Sequence, residues 1–244
     1  MRLARWDNRR VNSPAKNTLF DRIHAALPQT QCTRCGYPDC AAYAQSITSG
    51  NAAINQCPPG GAEGVQRLAA ITGLPALPLN PANGAEGPRA VAIIDETWCI
   101  GCTLCLKVCP TDAILGSNKT MHTVIESYCT GCELCLPVCP VDCISLENVI
   151  GENTGWAAWS QELADLARAR YAFHGTKARR EKIENDESLE IRAIEKPANL
   201  PAQSLHTDPA LLEKKHAVIE AALARARAQR AAQSPDTPTP GKTR

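Results

Sequence analysis

The 244-residue chain carries a formal net charge of +1, which gives it no overall pull toward nucleic acid or anionic lipid. Only 4% of its residues are aromatic while thirteen are cysteine, so cohesion must come partly from something other than large apolar side chains. No stretch approaches the roughly 18 apolar residues of a membrane helix, and MRLARWDNRRVNSPAKN at the start holds no apolar secretory core; reduced, metal-bound thiolates therefore fit better than disulfides.

Residues 1–16 read as a flexible arm. NTLFDRIHAAL (17–27) places Leu19, Ile23 and Leu27 four apart and predicts a helix. Asp39 is positioned to cap a second helix through CAAYAQSI, ending near Gly50, and AEGVQRLAAITG makes a third. LPALPLNPANGAEGP (74–88) is rich in Pro and Gly and reads as a linker, so a first domain is expected over 17–73. AVAIID (90–95), MHTVIE (121–126) and ISLENV (144–149) read as short strands of a second domain over 89–149. WAAWSQELADLARARY then predicts an amphipathic helix whose Trp156, Trp159, Leu163 and Leu166 pack on a neighbouring domain. Asp208-Pro209 opens another helix, which runs through LLEKKHAVIEAALARARAQ and frays into SPDTPTPGKTR, disordered by composition. Residues 150–244 are thus expected to be a helical extension. Its basic positions, ARREK (178–182) with Arg225, Arg227 and Arg230, read as solvated helix faces because acidic residues are interleaved.

An internal repeat dominates the chain. TWCIGCTLCLKVCPTDAIL (97–115) aligns without gaps on SYCTGCELCLPVCPVDCIS (127–145), and such self-similarity points to two copies of one unit about a pseudo-twofold axis. Each copy reads Cys-x2-Cys-x2-Cys-x3-Cys-Pro, the run of bacterial two-cluster ferredoxins. Three thiolates two residues apart can curl a loop around one four-iron cubane, while Gly101 and Gly131 let the backbone approach it. The fourth cysteine points away, toward the other cluster. Cys99, Cys102, Cys105 and Cys139 are therefore expected to hold one 4Fe-4S centre, and Cys129, Cys132, Cys135 and Cys109 a second. Zinc prefers two separated Cys-x2-Cys pairs around one ion, which fits this run badly. Nothing else in the chain supplies a nucleophile–base pair or a phosphate-binding glycine loop, so an electron carrier is favoured over a catalyst.

A separate group upstream, Cys32-x2-Cys35-x4-Cys40-x16-Cys57, is less specific. It is compatible with zinc, although a third 4Fe-4S cluster is favoured because two already share the chain. Near it, Asp39 and Tyr43 read as a helix cap and a core aromatic. Trp98, next to Cys99, is a candidate water shield for a cluster, and His122 reads as part of a turn or strand. The thirteenth cysteine, Cys143, corresponds in the first copy to Ala113 and reads as a small apolar filler beside Ile144.

QTQCTRCGYPDCAAYAQSI, INQCPPGG and the double run joined by AILGSNKTMHTVIE together resemble the B subunit of the Rnf/Rsx electron transport complex over residues 17–149. The resemblance implies an α+β chain: a small helical 4Fe-4S domain, then a tandem 4Fe-4S ferredoxin domain. It implies three clusters on the twelve cysteines named above. It also implies electron relay within a membrane complex that couples redox to ion movement, or toward a redox-sensing regulator. The expected partners are redox proteins, among them other Rnf/Rsx-like subunits, and not nucleic acid. Members of that family commonly begin with a membrane-spanning helix, where this chain has MRLARWDNRRVNSPAKN. A cytoplasmic relative is thus expected, compatible with peripheral association at the inner membrane. The alternative is an electron-input subunit of a larger oxidoreductase, assembled through its C-terminal helices.

Overall fold

A computed structural model describes residues 18–198, 202, 204, 205 and 207–232; the expected N-terminal arm and the SPDTPTPGKTR end lie outside them. The described residues fall into two compact units that divide between Gly175 and Thr176. Together they show mixed helix and strand, the α+β composition that was expected.

The first unit begins with three helices: α1 (Leu19–Ala25), α2 (Cys40–Thr48) and α3 (Gly61–Thr72). Thr18 and Asp21 close a capping box at the start of α1, and the Asp39 carboxylate accepts from Ala42 N at 2.7 Å at the start of α2. Each cap supplies an acceptor to an otherwise unpaired helical N–H. Ile23, Leu27, Tyr43, Ile47, Val65 and Leu68 are buried together in this part, whereas Leu19 is exposed. Tyr43 is a core aromatic, and its hydroxyl donates to Ala53 O at 2.7 Å. The Pro/Gly-rich stretch after α3 is tied down along its length. Asn80 N donates to Asn55 O, and Asn83 Nδ2 to Arg34 O. Glu86 accepts from Ala62 N at the first turn of α3 and from Thr154 Oγ1, at 2.8 and 2.7 Å.

Four strands follow: β1 (Ala90–Ile94), β2 (Ile114–Leu115), β3 (Thr123–Val124) and β4 (Ile144–Asn148). They form two antiparallel pairs, with Ile94 opposite Ile144 and Ile114 opposite Val124. Adding 30 to Ile94 and Ile114 gives Val124 and Ile144, so the sequence repeat maps one ribbon onto the other. Loop hydrogen bonds obey the same shift. Asp95 N donates to Cys143 O at 2.8 Å and Ile125 N to Ala113 O at 2.7 Å. Backbone torsions repeat as well: φ is 68° at both Gly101 and Gly131, 65° at Thr103 and Glu133, and 49° and 48° at Asp112 and Asp142. The symmetry fails at one element. Helix α4 (Leu104–Val108) has no counterpart, because Pro137 stands where the first copy has Lys107 and cannot make the Lys107 N–H bond to Thr103 O.

The expected continuous helix from Trp156 is broken. A short α5 (Gly155–Ala158) ends at Trp159, which is extended (φ −142°, ψ 100°), and α6 (Gln161–Ala198) starts afresh. Ser160 caps α6, its Oγ accepting from Leu163 N. This break turns both tryptophans inward: Trp156 and Trp159 are buried with Ala164 and Ala167, while Leu166 is exposed.

Residues 156–174 brace the rest of the unit. Trp159 Nε1 donates to Pro28 O at 2.7 Å, and the Arg89 guanidinium lies 4.6 Å from the Trp159 ring centroid. Arg67 sits 3.8 Å over Trp156. From α6, Gln161 donates to Ala25 O and Tyr171 to Asp39. Arg170 reaches the other way, donating to Thr111 O and Asp112 O with its guanidinium 3.5 Å over Tyr128. One segment thus grips the helical part and the stranded part at once.

In the second unit, α6 continues to Ala198 and α7 (Pro209–Ala232) follows. Asp208 caps α7 through Ala210 N. Leu189, Ala193, Ile219, Ala222 and Leu223 line a groove shared by the two helices, and Arg227 pairs with Glu190 at 2.8 Å. Among the described residues no helix is long and apolar enough to cross a membrane.

The brace predicts a contrast between two positions on the expected stripe. Trp159→Ala should destabilise the protein by about 3–5 kcal/mol, the range for deleting a buried aromatic. Leu166→Ala, at an exposed site, should change stability by less than about 0.5 kcal/mol. Denaturant midpoints of the two variants check this, and equal effects would contradict the broken-helix arrangement.

Candidate functional site

All thirteen cysteines are free thiols, and they gather into three groups. In the tandem part, Cys99, Cys102 and Cys105 of the first copy line one small cavity together with Cys139 of the second. Cys129, Cys132 and Cys135 of the second copy line another, joined by Cys109 of the first. Each loop therefore contributes three sulfurs to its own cavity and sends the fourth across the pseudo-twofold axis.

The local backbone explains how. After Cys99 and Cys129 the chain passes a left-handed glycine, then a left-handed Thr103 or Glu133, and coils back on itself. The glycines serve a purpose the spacing did not reveal. A Cβ on Gly101 would fall 2.6 Å from Thr120 N, and one on Gly131 would fall 2.5 Å from Ala90 O. What they admit is neighbouring backbone pressed against each loop. Beyond the loops, left-handed Asp112 and Asp142 turn the chain into β2 and β4 after Cys109 and Cys139 have crossed.

Cys32, Cys35, Cys40 and Cys57 form the third group. Left-handed Gln29, Gln31, Thr33 and Gly36 coil the preceding loop, and the buried Gln31 amide oxygen accepts from Cys40 N at 2.9 Å. Cys57 precedes a turn at Pro58–Gly60, where a Cβ on Gly60 would touch the Cys57 sulfur at 3.5 Å. Burial pushes the Cys57 thiol well up, and the charges of Cys40, Cys32 and Cys35 add to the effect, which places the four within electrostatic reach.

Several of the grouped thiols shift upward, whereas Cys139 shifts down because hydrogen bonds from Val141 and Cys143 outweigh its burial. Burial raises Cys40 to about 12, Cys135 to about 12, and Cys105 and Cys132 to about 11, with neighbouring cysteines of the same group raising each further. Such thiols stay protonated at neutral pH until a cation neutralises them, so metal binding must release protons. Among the described residues no three Cys, His, Asp or Glu side chains converge closely enough to grip a single metal ion.

The first group lies beside the second copy's cavity. Thr130 Oγ1, between Cys129 and Cys132, donates to Thr30 O at 3.0 Å. Arg34 pairs with Glu133 and feels the charges of both Cys32 and Cys132.

Three residues differ from their sequence readings. Trp98 is 69% exposed and covers no cavity, because Trp98 sits in the turn closed by its N–H to Asp95 O. His122 is 1% exposed, lines the first cavity, and sets Nδ1 3.4 Å from Cys105 Sγ and Nε2 3.3 Å from Ser117 O. Gly116 makes room for it, since a Cβ there would lie 2.0 Å from the imidazole. A single histidine in a polar connector gave no signal of this. Cys143 is buried as expected, but its sulfur is 3.5 Å from Cys139 Sγ and lines the first cavity.

Comparison with known proteins agrees with this geometry. Residues 92–146 match the family model described as a 4Fe-4S dicluster domain, and residues 27–59 match one described as a putative Fe-S cluster. The chain is 60% identical over 107 residues to the B subunit of the ion-translocating oxidoreductase complex of Azoarcus sp. (strain BH72), covering 44% of this chain and 58% of that one. It is 55% identical over 109 residues to the protein of the same name from Thiobacillus denitrificans, covering 45% and 58%. No solved structure matches. The chain spans less than two thirds of the length of the curated relatives it matches. Over the matched stretch it is similar to the B subunit of the ion-translocating oxidoreductase complex, and its residues 92–146 have the pattern of a ferredoxin-like 4Fe-4S dicluster domain.

Proposed function

We propose that this chain relays electrons through three 4Fe-4S clusters. One is held by Cys32, Cys35, Cys40 and Cys57, one by Cys99, Cys102, Cys105 and Cys139, and one by Cys129, Cys132, Cys135 and Cys109. The observation that supports the reading is the crossing of Cys109 and Cys139 into opposite cavities, an arrangement suited to two neighbouring centres. In domain terms, residues 17–73 hold the first cluster, 74–88 link it to the tandem domain 89–149, and the described residues beyond 150 belong to a helical extension.

Each cluster, when bound, takes and gives single electrons. The protein's task is to hold the sulfurs, limit water and set the order of centres. Buried Val91, Ala92, Ile94, Ala113 and Ile114 pack around the tandem thiols and lower the local polarity, which influences the potential. Contacts Thr30–Thr130 and Arg34–Glu133 put the N-terminal group next to the Cys129 cavity. The relay thus runs from the N-terminal group through the Cys129 group to the Cys99 group, or the reverse. Bracing by Trp159 and Arg170 holds these distances fixed, which matters because electron tunnelling falls steeply with separation.

The relatives are named as subunits of an ion-translocating oxidoreductase complex. By extension this chain exchanges electrons with other subunits of such a complex, acting as an electron-transfer component and not as a catalyst on its own. Co-purification with one large partner at fixed stoichiometry is the expected outcome; a free monomer serving several unrelated proteins would contradict it.

Two measurements test the cofactor assignment. Anaerobically isolated protein should contain about twelve iron and twelve sulfide per chain, four of each per cluster, whereas eight iron with one zinc would overturn the N-terminal assignment. Cys109→Ala should lower the iron content by damaging the centre in the second copy's cavity. Spectral loss confined to the first copy's own centre would contradict the crossing.

A further inference from the structure

The cavity of the first copy contains one sulfur more than a four-iron cluster uses. Cys99, Cys102, Cys105, Cys139 and Cys143 all line it. The equivalent cavity has four, because Ala113 stands where the second copy has Cys143. Cys143 is anchored at the entrance to β4, where its carbonyl accepts Asp95 N at 2.8 Å, so its backbone is fixed relative to the cavity. Its Sγ lies 3.5 Å from Cys139 Sγ. A change between staggered χ1 wells moves a cysteine sulfur by about 3 Å, comparable to the gap between the two sulfurs.

We propose that Cys143 is a reserve ligand for the first cavity, able to replace Cys139 on the cluster. The inference rests on the cluster reading above and adds an asymmetry to it. In the intact protein Cys143 stays a thiol and donates its S–H to the Cys139 sulfur. The thiol group is a weak donor, but here it has an ionised acceptor once iron is bound. When Cys139 is lost, Cys143 rotates into its place and gives up its proton on binding iron, as each of the other ligands does. The second copy's cavity has no such substitute: Ala113 N donates to Cys109 Sγ at 3.2 Å, and the Ala113 methyl group binds nothing. Loss of Cys109 is therefore uncompensated, and the two crossing cysteines, equivalent by symmetry, differ in what happens when they are removed.

Four variants of the full chain test this by iron content and by spectra of the anaerobically reduced protein. Cys143→Ala should keep about twelve iron, the stoichiometry of three four-iron clusters. Cys139→Ala should also keep that number, with an altered spectrum and potential for one centre. Cys109→Ala and the double variant Cys139→Ala/Cys143→Ala should both fall below it. If Cys139→Ala loses as much iron as the double variant, Cys143 is no ligand and the proposal fails. If the double variant keeps full iron, some other group fills the position and the proposal fails equally. Failure of the cluster reading looks different, because the unmutated protein itself would then lack the iron. Full iron in Cys139→Ala, together with a four-iron spectrum, separates ligand replacement from a merely tolerant fold, which would leave a three-thiolate centre that loses one iron.

Discussion

Two cysteines leave the loops that carry them. Cys109 and Cys139 each cross the pseudo-twofold axis to complete the other copy's cavity, and much of the stranded part can be derived from that exchange. A loop cannot lend its fourth sulfur unless the chain turns immediately afterwards. Asp112 and Asp142 take left-handed backbone three residues on, at a cost of roughly 1–2 kcal/mol per residue. The turn feeds β2 and β4, which pair with β3 and β1 and close the two repeat copies on each other. Ribbons this short would be marginal alone. Sulfurs shared between the copies, and the metal proposed to bind them, supply the cohesion that a chain with 4% aromatic residues lacks elsewhere.

The extension beyond the last cysteine has a structural job in residues 156–174. Trp159 and Tyr171 bind the helical part through Pro28 O and Asp39, and Arg170 binds the stranded part through Thr111 O and Asp112 O. An electron relay needs its centres at fixed separation. Here fixation comes from a few hydrogen-bonded aromatic and guanidinium contacts, not from a large core shared by both parts. The arginines satisfy carbonyls at the same time as they cover rings, which uses the planar guanidinium in both of its capacities.

Much of this was legible from residue order. The 30-residue offset of the cysteines carried the ribbons, the loop torsions and the grouping of sulfurs with it, because a repeated sequence under the same local constraints repeats its backbone. Helix starts at Asp39 and Asp208 were readable from side chains that can accept a backbone N–H. The break before α6 had the same kind of signal, Ser160 followed by Glu162 in the first turn, but the apolar spacing of Trp156, Trp159, Leu163 and Leu166 suggested a continuous stripe. Spacing says which residues share a face only where the helix is unbroken, and an extended Trp159 resets the phase. His122 and Arg170 were not legible, since their partners, Cys105 and the Thr111 and Asp112 carbonyls, lie 17, 59 and 58 residues away. Cys143 was half legible: the repeat marked it as extra, and only the fold shows its sulfur directed at Cys139.

The central claim is that crossed thiols seat two clusters side by side, with the third next to one of them. Electron paramagnetic resonance during stepwise anaerobic reduction tests it most directly. Three one-electron centres should appear, and signals from the tandem pair should broaden and split as both become paramagnetic, because neighbouring spins couple. Signals that simply add, with no interaction at full reduction, would show the centres to be isolated and would contradict the account.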